Sequence, residues 1–459
     1  MLSKMKLVPA VAMIATLAFY SCGKDDSSPP PQTDDTTDDS PMPINFEGVI
    51  DYVKTYGGSE EDEAVGVVQA NDGNYVILGS TSSIDGDITD KTTTDADYWV
   101  LKVDTEGAIL WSKTYGGSAT DKATGITKTT DGGYILSGHS RSNDGDVGGN
   151  EGFHDYWLVK IDSQGGIQWE TNFGFSGSDQ AYKVIQTSDG GYFATGFLDV
   201  TASGGQGNDG RNPEHGVGEY WGIKMNANGE KIWRRYFGGT NNDRSYDVVQ
   251  TSDGGFLMIG ASESNDFDIT DDKGSYDYWV VKVSAGGDKV WTKSYGGSEI
   301  DVAYSVTRAS DGNYIMVGDS RSSDKDVSGA LGNADMWIVK FNPANGNIIW
   351  EKNLGGSQFE SGRSIQRLPN GTYLISGSTR SSNGDVSNNL GENDAWVVII
   401  DEEGDLQYQK TIGGTSLDFS EDAIQTTDNK VLLVGNTESD DIDIPMNRGI
   451  KDMLFIKIK

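Results

Sequence analysis

The sequence predicts an all-β fold: a seven-bladed β-propeller of four-stranded antiparallel blades, closed by an N-terminal outer strand in the last blade. Three observations predict it. A short glycine phrase recurs seven times, the repeat it marks contains four strand-like runs, and the two ends of the array are out of phase by one strand.

The phrase is Tyr56-Gly57-Gly58-Ser59, with counterparts beginning at Tyr115, Phe237, Tyr295, Leu354 and Ile412 and a degraded copy at Phe173. The first residues are 59, 58, 64, 58, 59 and 58 residues apart, so the long interval falls in the third repeat. In the fifth repeat, Ala303–Arg308, Tyr314–Gly318, Asp335–Phe341 and Asn347–Lys352 are β-branched or aromatic runs bounded by Gly, Asn and Asp. The Asp-Gly turn between the first two joins antiparallel neighbours, because glycine accepts positive φ. A solenoid is the rival arrangement. The phase of the ends favours a ring. The segment before the first phrase, Asn45–Tyr56, reads as a fourth-type strand, and the last run, Asp452–Ile458, as a third-type strand. Paired, they complete one blade and remove two exposed edges.

The tryptophans follow the same design. Trp99, Trp157, Trp221, Trp279, Trp337 and Trp396 stand on third strands; Trp111, Trp169, Trp233, Trp291 and Trp350 on fourth strands. Their spacing follows the blade, which marks them as packing between blades rather than as an exposed sugar platform.

Composition excludes several classes. The chain has 459 residues, 70 acidic and 36 basic, for a formal net charge of −34. Nucleic acid is excluded as a partner, since phosphate binding needs clustered Lys and Arg. The single cysteine cannot form an intramolecular disulfide.

That cysteine lies in a leader. Lys4 and Lys6, the apolar run Leu7–Ala18 and the small residue Ser21 before Cys22 form a secretory signal. Residues 1–21 resemble a bacterial lipoprotein signal peptide. The resemblance implies that Cys22 is lipidated and anchors the mature chain in a membrane, with the bacterial outer membrane as its location and surface exposure as its orientation; Phe19 departs from the Leu usual three residues before such a Cys. Residues 22–45 are rich in Asp, Ser, Thr and Pro without an aromatic residue, and read as an acidic, disordered tether; residues 46–459 are the propeller.

The phrases W-x-K-x-Y-G-G-S, T-x-D-G-G-Y and D-Y-W-V-x-K resemble bacterial and archaeal β-propeller repeats of the SBBP type, over residues 46–459. A fainter likeness is to the Trp-docking motif of quinoprotein propellers. Neither resemblance implies a defined reaction.

Three acidic sets repeat with the blade. The long loops between second and third strands carry Asp85 and Asp87, Asp144 and Asp146, Asp266 and Asp268, and Asp324 and Asp326. They read either as turns in which Asp caps its own backbone or as oxygen-rich Ca²⁺ sites, calcium being the cofactor this composition allows. A second set, Asp62, Asp121, Asp179, Asp243, Asp301, Glu360 and Asp418, precedes each innermost strand and is expected to ring the channel mouth, bonded to loop amides and hydroxyls. A third, Asp97, Asp155, Glu219, Asp277, Asp335, Asp394 and Asp452, begins each third strand, where Lys102, Lys160, Lys224, Lys282, Lys340 and Lys457 also sit; these sets read as polar ties between blades. The third repeat departs from the others. Its loop gathers Asn208, Asp209, Arg211, Glu214 and His215, a candidate ligand site or a tolerated insertion.

No nucleophile elbow, zinc motif or phosphate loop occurs. The sequence therefore points to a lipid-anchored binding or scaffold module that meets a protein or glycan through its acidic long-loop face. The alternative is a polysaccharide-active or quinoprotein-like propeller enzyme.

Overall fold

The computed structural model describes residues 46–210 and 216–459. Within them stand seven four-stranded antiparallel sheets. Blade 1 runs from Asp62 to Tyr115, blade 2 from Asp121 to Phe173, blade 3 from Gln180 to Phe237, blade 4 from Asp243 to Tyr295, blade 5 from Asp301 to Leu354 and blade 6 from Glu360 to Ile412. Blade 7 takes Asp418–Gln425, Val431–Thr437 and Asp452–Ile458 from the end of the chain and Ile50–Tyr56 from its beginning. The four strands of a blade are called inner, second, third and outer. The leader, Cys22 and the tether lie outside the described residues, as do Arg211, Glu214 and His215.

Burial along each strand follows its place. The second and third strands are apolar on both faces and buried along nearly their whole length, as in Tyr75–Thr81 and Asp97–Val103. Outer strands such as Ile109–Tyr115 start exposed and end buried. The middle strands are covered on both faces by the neighbouring blades. There are accordingly seven apolar clusters among the described residues, one at each interface between successive blades. The cluster joining blade 7 to blade 1 packs Leu432, Val434 and Phe455 against Tyr75, Ile77 and Trp99, so the ring is closed.

All six third-strand tryptophans are fully buried in these interfaces. Full burial of a large aromatic contributes several kcal/mol, about 3–5 on truncation to Ala. In blades 1 to 4 the third-strand tyrosine beside the Trp supplies a directional tie. Tyr98 Oη donates to the Trp157 carbonyl (3.0 Å), Tyr156 to Trp221 (3.1 Å), Tyr220 to Trp279 (2.8 Å) and Tyr278 to Trp337 (2.9 Å). The fourth-strand aromatics are less buried and cover the next blade's rim turn. A Cβ at Gly229, which has φ +80°, would stand 2.7 Å from the Trp169 ring, so glycine is required there both by conformation and by space. Tyr408 covers Gly48 in the same manner, which ties blade 6 to the segment leading into the closing strand.

The third-strand lysines differ from the expectation of ties between blades. Each reaches the Asp of the turn between inner and second strands in its own blade: Lys102 to Asp72 (2.6 Å), Lys160 to Asp131 (2.9 Å), Lys224 to Asp189 (3.0 Å), Lys282 to Asp253 (2.8 Å), Lys340 to Asp311 (3.0 Å) and Lys457 to Asp428 (3.5 Å). The reason is strand direction. The lysine lies near the end of the third strand, beside the turn, whereas the acid that begins the strand lies at the opposite edge of the ring. Two of the six do also tie blades as expected: Lys340 reaches Glu402 of blade 6, and Lys457 Nζ donates to Tyr75 Oη (2.9 Å) and the Thr105 carbonyl (3.3 Å) of blade 1.

The closing strand pairs antiparallel with the third strand of blade 7, Tyr52 opposite Lys457 and Tyr56 opposite Met453. Backbone bonds between Val49 and Lys459 extend the ladder. A variant chain beginning at Gly57 loses this pairing and exposes the edge of blade 7. We expect it to unfold at lower temperature and to self-associate in light scattering, whereas a chain beginning at Phe46 does neither.

Candidate functional site

The long loops share one edge of the ring with the Gly-Gly-Ser/Thr loops, and their acids fasten the two together. In blade 1 Ser59 N donates to Asp85 Oδ1 (2.8 Å) and Gly57 N to Asp87 Oδ2 (3.1 Å). Blade 2 repeats this with Asp144 and Asp146, blade 4 with Asp266 and Asp268, and blade 5 with Asp324 and Asp326. In blade 6 Asn383 Oδ1 accepts from Ser357 N (2.9 Å), with no charge at all. Accepting an amide is therefore the shared task of this position. An apolar residue follows each pair and is buried: Ile88, Val147, Ile269, Val327, Val386 and Ile444. Among the described residues no group of three or more His, Cys, Asp or Glu has the spacing to hold a metal ion.

The residue between the two acids breaks the repeat. Gly86, Gly145 and Gly384 hold φ of 65°, 67° and 70°; their places are taken by Phe267, Lys325 and Ile442 at 51°, 56° and 57°. This backbone region costs a non-glycine residue about 1–2 kcal/mol and is an outlier for a β-branched one. The turn is also tight, since a Cβ at Gly86 would stand 2.2 Å from the Gly57 carbonyl. Yet Phe267 and Ile442 stand 54% and 60% exposed. Large apolar side chains are held where glycine would sit without strain, with more than half of each surface exposed. Ile84, Phe153 and Leu331 add further exposed apolar area from the same loops.

The acids before the inner strands are buried. Asp62 Oδ2 accepts from Gly58 N (2.7 Å) and Ser83 Oγ (2.8 Å), and Oδ1 accepts from Thr81. Asp121, Asp243, Asp301, Glu360 and Asp418 accept from the matching loop amide, and Asp179 from Phe175 N. All seven are at most 1% exposed. Beside them lie the acids that begin the third strands. One oxygen of Asp155, Asp277, Asp335, Asp394 and Asp452 accepts a backbone amide from four residues upstream, and Asp97 is paired with Lys91. The Oδ1 of each of these six is buried with no hydrogen-bond partner and faces the first glycine of the loop. Burial, reinforced by the inner-strand carboxylate alongside, pushes Asp97 and Asp277 up to about 7, Asp394 and Asp452 to about 6 and Glu219 to about 10.

In blade 3 the long loop becomes a helical turn, Val200–Ser203, capped by Asp199. Asp209 is bound to Lys231 (2.8 Å) and Arg234 (3.2 Å) of its own outer strand. Asn208 Oδ1 is buried without a partner.

The axis of the ring carries a feature that the reading of the acidic sets missed. The third residue after each inner-strand acid is Val65, Thr124, Tyr182, Tyr246, Tyr304, Arg363 and Glu421 in blade order. All seven line one cavity of about 320 Å³. The signal was present in the sequence as the position where otherwise similar repeats disagree.

No protein-family model matches the chain. Over 246 residues it is 24% identical to the regulatory protein FlaEY of Caulobacter vibrioides, a match covering 48% of this chain and 25% of that one. The matched region therefore spans about a quarter of that relative's length. Among solved structures the chain is similar to Sqt1 from Chaetomium thermophilum (TM-score 0.45, 10% identity, 89% of this chain and 99% of that one). It is also similar to the quinohemoprotein alcohol dehydrogenase of Comamonas testosteroni (0.46, 8%, 89% and 76%) and the Pan2 WD40 domain of Neurospora crassa (0.46, 8%, 86% and 88%).

Two outcomes follow. The raised acids bind protons in the folded chain that they release in the unfolded one between about pH 4 and pH 7. Their stabilising effect is full below the ordinary carboxylate range and is lost as pH rises through the folded values. The melting temperature is expected to rise on going from about pH 8 to about pH 5, and Asp277→Asn to raise it at pH 8 and flatten the profile. Ile442→Gly, by relieving the backbone, is expected to stabilise the fold by about 1 kcal/mol in denaturant unfolding.

Proposed function

We propose that this chain is a lipid-anchored β-propeller of the bacterial cell envelope, held at the outer membrane through Cys22 and acting as a binding module for a protein partner. The observation that carries the reading is the pair Phe267 and Ile442. Strain of this kind persists where something other than folding selects it. Exposed aromatic and aliphatic side chains among acids form the composition of a protein-docking surface. The loops that bear them are pinned by amide–carboxylate bonds, so little freedom is lost on binding. A net charge of −34 directs the surface to a basic partner and repels anionic ones. Calcium enters this reading as an ion that the loop carboxylates Asp85, Asp87, Asp144, Asp146, Asp266, Asp268, Asp324 and Asp326 attract.

The experiment is affinity capture from envelope extracts with the parent chain and with the Phe267→Gly, Ile442→Gly double variant, both checked by thermal melting. The parent should retain a partner that elutes with salt, and the double variant should lose it while melting no lower. Equal retention by both would overturn the docking face. Cys22→Ser should move the protein from the membrane to the soluble fraction. A melting temperature raised by Ca²⁺ and restored by EDTA would add the ion to the face, and an unchanged one would remove it.

A further inference from the structure

The repeats are nearly equivalent everywhere except along the axis. There the ring is lopsided. Blades 1 and 2 present small residues, Val65, Gly66, Thr124 and Gly125, whereas blades 3, 4 and 5 present tyrosines. The Tyr182 and Tyr246 rings lie 4.9 Å apart between centroids, and Tyr246 and Tyr304 lie 5.2 Å apart. The guanidinium carbon of Arg363 sits 4.0 Å from the centroid of Tyr304 and continues the wall into blade 6. The void is thus a slot with an aromatic side and a small-residue side. Its volume of about 320 Å³ stands at the lower end of the ~300–1,000 Å³ of small-molecule sites.

The charges around the slot offset one another, Arg363 and Lys183 standing with Asp247, Glu421 and Asp422. Arg363 lies beside Glu421 and Asp319. Asp247 accepts from Val306 N (3.0 Å) and Ser305 Oγ (3.1 Å), and Asp422 from Val67 N (3.0 Å) and Ser364 Oγ (2.7 Å), with Lys183 nearby. In a chain of net charge −34, this cavity leaves neither sign in large excess. An anion or a cation entering it meets charges of its own sign as well as of the opposite sign. A neutral, polyhydroxylated ligand meets no such repulsion: carboxylates keep spare lone pairs and a guanidinium offers five N–H groups, so both can add hydroxyl partners. The C–H face of a pyranose ring matches an aromatic wall, and the hydroxyl edge matches Arg363, Asp247 and Asp422.

We infer that the axial slot is a binding site for a neutral saccharide of one or two pyranose rings, packed against the tilted rings of Tyr182, Tyr246 and Tyr304 and held at its edge by Arg363, Asp247 and Asp422. The site is separate from the loop face and does not depend on it.

The test is calorimetric titration of the full chain with neutral mono- and disaccharides, a uronic acid, an amino sugar and free amino acids. Two variants address the two walls. Tyr246→Ala removes the middle of the aromatic wall, and Val65→Trp fills the slot from the opposite side while leaving every tyrosine in place. At least one neutral saccharide should bind, and both variants should weaken it by about tenfold or more with the melting temperature kept close to the parent's. Should Tyr246→Ala fail to fold, Val65→Trp decides alone. Binding confined to the charged ligands, saccharide binding unaffected by Val65→Trp, or no binding across the panel would each overturn the assignment.

Discussion

The structure depends on the double-sided burial of its middle strands. The second and third strands of a blade are apolar on both faces, and one blade alone covers neither. Every blade therefore needs two neighbours, and the requirement is met for all of them only when the last blade meets the first. The tyrosine-to-carbonyl ties, the tryptophans and the rim turns beneath outer aromatics all refine this interface. Its repetition explains why 11 tryptophans occupy only two places in the blade.

Polar chemistry is organised around the same ring, at its two edges. On the turn edge a buried lysine meets a half-exposed aspartate in its own blade. On the loop edge two buried acids, one from each of two successive blades, stand side by side with a glycine between. The second arrangement is costly for ions, and burial together with the neighbouring carboxylate raises the proton affinity of these acids. The outermost acids on that edge serve as amide acceptors, which makes the loops firm enough to hold Phe267 and Ile442 in a backbone conformation they would not choose.

Much of this was legible in the residues. The repeat interval, the Asp-Gly turns and the phase of the two ends led to seven blades with a shared closing sheet, because strand identity and register here are set by local sequence. The pairing of the lysines was not legible, since it depends on which edge of the ring each end of a strand reaches. Nor was the strain at Phe267 and Ile442, although the substitution of glycine between two acids was visible as a break in the phrase. The axial slot was missed for a related reason. Attention to what the repeats share, such as Asp62 and its counterparts, leads to residues that hold the fold. Tyr246 and Arg363 stand where the repeats differ, and they have no counterpart in Val65 or Thr124.

The pairing of Ile50–Tyr56 with Asp452–Ile458 has a bearing on biogenesis. Six of the sheets assemble from contiguous stretches as they leave the ribosome, but the seventh joins segments roughly 400 residues apart. Until the final stretch has been made, Tyr56 has no Met453 to lie against, and the interface of Leu432 and Phe455 with Tyr75 and Trp99 cannot form. A nascent chain thus carries an unfinished circle through synthesis and any transport that precedes completion. Holdase chaperones that shield strand borders would act on this species above all others.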